Sequence, residues 1–88
     1  MILTVVSQYY GIDINKITSK SRSRDILNPR YVCMYLFKEL LDNMTLKGIG
    51  KYFGGKDHAT VINGIEKVSE SSELLHDVEE IRKSLPSD

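Results

Sequence analysis

The sequence predicts an all-α fold of about six helices in one small domain. Three observations carry this. Apolar residues recur at spacings of three and four along most of the chain, where strands would alternate. Gly, Pro, Asn and Asp punctuate these runs at helix lengths. The chain has 88 residues, a size that hides only about 60–65% of the surface its unfolded form would expose and leaves little room for a catalytic cavity beside a core.

Residues 2–10 (ILTVVSQYY) read as a short helix with Val5, Val6, Tyr9 and Tyr10 at helical spacing, with strand the lesser alternative left by the β-branched content. Gly11 suits its left-handed C-cap. Asp13 can cap a second short helix over 14–17, with Ile14 and Ile17 on one face. Residues 19–24 (SKSRSR) contain no apolar residue and read as a loop carrying Lys20, Arg22 and Arg24. Asn28 as N-cap and Pro29 at the first helical position open a third helix to about Asp42. Val32, Tyr35, Leu36 and Leu40 step along one face of this central helix, with Cys33 and Phe37 beside them.

Thr45 can cap a fourth helix over 46–53, with Leu46, Ile49 and Phe53 as its buried stripe. Gly48 and Gly50 weaken its helix propensity by about 1 kcal/mol each relative to Ala, and would permit close packing. Gly54-Gly55 turns the chain. Asp57 then caps a fifth helix from His58 to about Ser71, with Val61, Ile62, Ile65 and Val68 inward. A last amphipathic helix runs over about 73–85, with Leu74, Val78, Ile81 and Leu85 inward, stopped by Pro86.

Composition excludes several classes. Hydrophobic residues make up 41% and charged residues 27%, ordinary for a globular domain rather than a disordered or membrane protein. Cys33 is the single cysteine, so no intramolecular disulfide can form and a reducing, cytoplasmic setting is expected. The apolar start, Met1 to Val6, is too short for a signal peptide or a membrane span. Net charge is zero, which alone speaks against nucleic acid. The charges are unevenly placed, however. Residues 16–56 hold nine cations against three anions, a net of +6, and residues 70–88 hold two against six, a net of −4. Such an asymmetry says more than its sum. An acidic tail of this kind would restrain non-specific binding by the basic segment before it.

Helix 46–53, a Gly-Gly-Lys turn and a helix from His58 have helix-turn-helix spacing. In that motif the second helix enters the DNA major groove, its N-terminal residues face base edges, and the first helix braces it on the backbone. The end in question reads Lys56-Asp57-His58-Ala59-Thr60. His58 can donate or accept at a base edge, and the methyl groups of Ala59 and Thr60 suit a thymine methyl. Free amides at the helix start suit a phosphate oxygen. Spacing alone leaves a plain helical bundle equally open.

The run SKSRSRDILNPRYVCMYLFKEL followed by IGKYFGGKDHATVINGIEKV resembles the DNA-binding domain (domain IV, C-terminal) of the DnaA family of bacterial chromosomal replication initiators. The resemblance covers about residues 5–69, in order and at near-family spacing. FGGKDHATV is highly specific to the family, and SRSR with the later Pro-Arg supports it independently. The resemblance implies a helix-turn-helix bundle of the Trp-repressor type that reads an asymmetric double-stranded DNA box in replication initiation or its regulation. It implies that Arg22 enters the minor groove, with Arg24 assisting at the backbone. Arg30, after the helix-opening proline, would reach a base from the major-groove side, and Tyr31 stands where some members carry a polar base-reading residue. Asp57, His58, Ala59 and Thr60 match the Asp-His-Thr-Thr signature that opens the recognition helix, with Ala59 losing a hydroxyl. Lys56 stands where a cation contacts DNA. Lys38, Leu46 and Lys47 take the places of phosphate contacts.

The relatives carry an ATPase module before this domain, and this sequence has no phosphate-loop motif. The expectation is therefore a DNA reader that is not an enzyme, either a fragment or a stand-alone protein, with the starting Met and the acidic last helix favouring the second. No cofactor, nucleotide, metal or membrane is expected, and a replication protein is a further partner compatible with the resemblance.

Plainer readings stand beside these. Arg22 and Arg24 can be a solvated loop, and Arg30 can pair with Asp25 or Glu39. Asp57 needs no role beyond capping. His58 and His76 have no partners at metal-ligand spacing. The tyrosines suit core or rim, Cys33 suits a buried site, and the acidic run suits a solvated helix face. A different class of function also fits: a protein-interaction module with a degenerate helix-turn-helix that modulates a replication initiator. Net neutrality, Ala59 and the acidic helix motivate it. An enzyme built on His58 with Asp57 is disfavoured, because adjacent residues at a helix cap do not make a base and its orienter and the chain has little length left to build a pocket.

Overall fold

The computed structural model describes residues 1–86, which form six helices and, among them, no strand. They are α1 (Ile2–Tyr10), α2 (Ile14–Ile17), α3 (Arg24–Leu40), α4 (Leu46–Tyr52), α5 (His58–Ser69) and α6 (Ser72–Ser84). The caps fall where the sequence placed them. Gly11 closes α1 at φ 67°, Asp13 accepts from the Asn15 amide, Thr45 from the Gly48 amide, and Asp57 from the Thr60 amide. The last helix gains one further cap, Ser71, which accepts from the Leu74 amide. Each such cap satisfies a donor that the first turn of a helix leaves without an internal partner.

The central helix begins earlier than expected. It starts at Arg24 with Ser23 as N-cap, so Pro29 lies inside it and not at its first position. The reason is burial: Ile26 is only 4% exposed, and the additional turn is what carries it into the core. The proline forfeits one bond, to the Asp25 carbonyl. Asp25 is exposed, so water can replace that bond.

α3 is the hub and packs against all five other helices. Val32, Cys33, Met34, Leu36 and Phe37 are buried along it. They meet Val6 of α1, Ile17 of α2, Ile49 of α4, Phe53 just beyond α4, and Val61 and Val68 of α5. Full burial of each such side chain is worth about 1.5–3 kcal/mol. Phe53 is completely buried, with its ring centroid 5.2 Å from that of Phe37. Truncating it to Ala would cost about 3–5 kcal/mol. Cys33 lies fully inside, and burial pushes its thiol pKa up to about 12, which fits a packing residue and not a nucleophile.

Two apolar assignments differ from the sequence pattern. Ile62 is 37% exposed, and Leu40 is exposed as well. α5 packs inward through Val61, Gly64 and Val68, and Ile62 sits about 100° around the helix from Val61. α6 closes the bundle through Leu74, Val78 and Ile81. It is fastened at its polar side too. The hydroxyls of Tyr9 and Tyr10 both donate to the Asp77 carboxylate, at 2.9 and 2.7 Å, and Arg82 pairs with Glu39 of α3.

Candidate nucleic-acid interface

The loop between α2 and α3 has no apolar side chain to anchor it, and its shape comes from polar contacts. The Ser19 hydroxyl donates to the Lys16 carbonyl and accepts from the Ser21 amide. The Ser21 hydroxyl accepts from the Ser23 amide. Serines alternate here with Lys20 and Arg22, both exposed. The small residues fold the loop, and the cations between them are displayed.

Arg30 completes this loop from beneath. Its side chain is 1% exposed. Nε donates to the Ile17 carbonyl at 2.8 Å and Nη1 to Ser21 at 2.8 Å. Nη2 donates to Ser19 at 2.9 Å and to Lys16 at 3.3 Å. The resemblance placed this arginine at a DNA base. The structure places its guanidinium under the loop, where it supplies donors to carbonyls that lie outside any helix or at the end of α2. Neither of the expected carboxylate partners takes it, since Glu39 pairs with Arg82. Burial lowers its pKa below the ordinary arginine value, yet a guanidinium stays charged at neutral pH.

The helix-turn-helix turn leans on the same loop. Gly54 has φ 80°, the left-handed region, where a β-carbon is disfavoured. A β-carbon there would also come within 2.7 Å of the Ser19 carbonyl oxygen. The turn is tied back by the Lys56 amide, which donates to the Gly50 carbonyl at 2.8 Å. Gly50 itself lies so close to the Lys56 carbonyl that no side chain fits. The close approach at Gly50 is therefore to the backbone of the turn, where close packing of helices was the expectation.

The start of α5 is held by Asp57. One oxygen, Oδ1, accepts from the Thr60 amide at 2.9 Å and from the Thr60 hydroxyl at 2.8 Å. These bonds hold the Asp57 carboxyl below its usual range, the Thr60 amide contributing most. Thr60 is therefore oriented by the cap and is half-buried, while His58 and Ala59 are exposed.

Three adjoining clefts join these parts. The first is lined by Arg22, Leu27, Arg30, Tyr31, Lys56 and Thr60. The second is lined by Lys20, Arg22, Gly54, Gly55, Lys56, Asp57 and Thr60. The third is lined by Lys47, Lys51, Gly55, Lys56, Asp57 and His58. Lys56 is common to all three. Its pKa is lowered, first by burial and then by repulsion from Arg30, Arg22 and Lys20. That repulsion marks an electropositive patch that an anion would relieve.

Of the residues singled out in the sequence, Arg22, Arg30, Lys47, Lys56, Asp57, His58 and Thr60 meet around these clefts. Ala59 is exposed beside them on α5. Arg24, at the first position of α3, and Lys38, in its last turn, are exposed but line none of the three. Leu46 is half-buried at the start of α4. Tyr31 lines the first cleft as well, and its ring packs beside Gly64, with the Lys67 ammonium 5.8 Å from the ring centroid. Lys51 was missed, although it stands four residues from Lys47 and so shares its helix face. Exposed Ile62 was missed because its spacing also fits a buried stripe.

A family model described as the bacterial dnaA protein helix-turn-helix matches residues 1–68. The chain is 52% identical over 67 residues to the chromosomal replication initiator protein DnaA of Mycoplasma capricolum, a match covering 76% of this chain and 15% of that protein. It is 44% identical over 84 residues to the protein of the same name from Limosilactobacillus fermentum, covering 91% of this chain and 19% of that one. With that of Chloroflexus aggregans it is 40% identical over 88 residues, covering 96% and 18%. The chain spans less than a fifth of the length of these curated relatives.

Proposed function

The chain belongs to the bacterial DnaA helix-turn-helix family, and on that premise we propose that it reads double-stranded DNA at a site of the DnaA-box type, in replication initiation or its regulation. One observation carries this reading: the basic loop, the glycine turn and the N-terminal end of α5 converge on one cationic face that shares Lys56. The family membership supports reading that face as the DNA-facing one, and the geometry suggests how it would work.

Positioning comes from phosphates. Lys20, Lys47, Lys51 and Lys56 surround the helix start, and Arg24, Lys38 and Leu46 lie on the flanking elements. Contacts of this kind fix register without reading sequence. The first-turn amides of α5 that Asp57 does not cap add donors for a phosphate oxygen. Selection comes from the exposed end of α5 in the major groove. His58 donates to or accepts from a base edge, while Ala59 and the Thr60 methyl pack on thymine methyls. Asp57 aims this end by fixing the cap. Arg22, displayed at the tip of the loop, enters the neighbouring minor groove, whose negative potential favours an arginine. Exposed Ile62, one turn further along α5, extends the apolar side of the reading face.

The protein acts by binding and carries out no reaction of its own in this reading. It works in the cytoplasm, where bacterial chromosomes are found. Fluorescence anisotropy with a labelled DnaA-box duplex and a scrambled duplex, at two salt concentrations, tests it. Tighter binding to the box and a steep salt dependence are expected. Equal, salt-independent binding would overturn the reading and favour a protein-interaction module.

A further inference from the structure

We infer that Arg30 is a positioning residue: it works by holding the basic loop in a DNA-ready shape, and it stays beneath that loop when DNA is bound. The inference rests on the DNA-binding reading above for one of its readouts and stands apart from it in the other.

The geometry is specific to a guanidinium. Four of the five N–H donors of Arg30 are directed at four carbonyls, those of Lys16, Ile17, Ser19 and Ser21. These carbonyls span the end of α2 and most of the loop, so one rigid fork gathers the whole segment. A lysine, with a single tetrahedral ammonium, cannot span such a set. Among the described residues the loop has no other deep anchor. Its own bonds run between neighbouring serines and the end of α2, and its outer side rests on Gly54. Removing the fork would leave the Ser19 and Ser21 carbonyls without that donor and release the segment carrying Lys20 and Arg22.

The charge contributes as well. Arg30 is buried and makes no ion pair among the described residues. Its positive charge instead adds to those of Lys20 and Arg22 acting on Lys56. It therefore raises the potential of the cleft between loop and recognition helix without being exposed. For Arg30 to reach a base, its side chain would have to leave the loop carbonyls, dismantling the loop that presents Arg22.

Two measurements test this. The first uses the unaltered protein. The Arg30 Nε–H signal in NMR should exchange slowly with solvent in the free protein and keep its shift when a box duplex is added. Release of that proton, or an intermolecular contact from it to a base, would overturn the inference. The second is a double-mutant cycle on DNA affinity with Arg22→Ala and Arg30→Lys, the latter checked for an unchanged helical spectrum. Arg22→Ala alone is expected to weaken box binding about tenfold, and in the Arg30→Lys background less than about twofold. Full additivity, or an Arg30→Lys defect confined to one base pair, would overturn it. If the unaltered protein shows no preference for the box, the DNA reading fails, and the exchange of Arg30 Nε–H in the free protein still decides whether the fork holds the loop.

Discussion

The Tyr31 ring occupies the space that a side chain at Gly64 would need: a β-carbon there would lie 2.6 Å from Tyr31 Cδ1. This is where α3 and α5 come together. Gly64→Ala pits two effects against each other. Alanine improves helix propensity by about 1 kcal/mol, whereas overpacking a close contact costs about 1–3 kcal/mol. Tyr31 is half-buried and packs against the core, so displacing its ring strips some of that packing, and a net loss of about 1–2 kcal/mol is expected. Chemical denaturation measures it, and a stability equal to or above that of the unaltered protein would show that the ring moves freely.

Cations that face only phosphates act evenly on all sequences. Lys56→Ala and Lys47→Ala should each weaken binding to box and scrambled duplexes alike, and each should lower the log–log salt slope by about 1. With about 4–6 phosphates neutralised, the starting slope would be roughly −4 to −5. Anisotropy titrations over a series of salt concentrations check this. A loss seen on the box alone would move either lysine from positioning to base reading.

His58 should behave in the opposite way. It is exposed at the first position of α5, beside the cap that orients it. His58→Ala is expected to reduce discrimination between box and scrambled duplexes by about 1–3 kcal/mol, with a small effect on the scrambled duplex. Equal losses on both would assign His58 to phosphate.

Much of the fold was legible in the sequence because its punctuation is local. Gly11, Asp13, Thr45 and Asp57 each act within one helical turn, so their residue types alone announce the caps. The start of α3 was not, because Asn28-Pro29 is a strong local signal overruled by a tertiary one, the burial of Ile26. Ile62 failed for a related reason: α5 turns Val61, Gly64 and Val68 inward, with the small Gly64 against Tyr31, and an apolar periodicity does not mark a glycine as part of the buried stripe. At the site, the cations and the helix start were readable as residue types in order. The burial of Arg30 was not, because its partners are backbone carbonyls, which every residue possesses and no sequence pattern marks.

The junction of turn and loop is equally hidden from pattern and equally testable. Gly54→Ala would place a β-carbon at φ 80° and against the Ser19 carbonyl. The left-handed backbone alone costs about 1–2 kcal/mol, and the contact adds to it. The loop and the turn should separate, so box affinity should fall by more than stability alone explains at temperatures well below unfolding. Amide shifts over residues 18–23 report the displacement, and their constancy would show that the loop is independent of the turn.

Asp57 gives the site a pH dependence whose sign follows from its hydrogen bonds. Thr60 donates to it twice, and both bonds favour the ionised form, so its folded pKa lies below the unfolded value near 3.8. A group depressed in this way contributes stability that is fully present above the unfolded pKa and is lost as pH falls through the folded one. At neutral pH the cap is intact. Under acid conditions, below the unfolded value, the contribution declines, and the first turn of α5 should fray before the core does. A carboxyl titration followed by NMR should find the Asp57 midpoint below the ordinary aspartate value, with the Thr60 amide shift moving in step. Asp57→Asn keeps an acceptor and removes the titration, so the pH dependence of that amide should flatten. A midpoint at or above the ordinary value would mean that the two Thr60 bonds do not favour the carboxylate, and that His58 is aimed by something other than this cap.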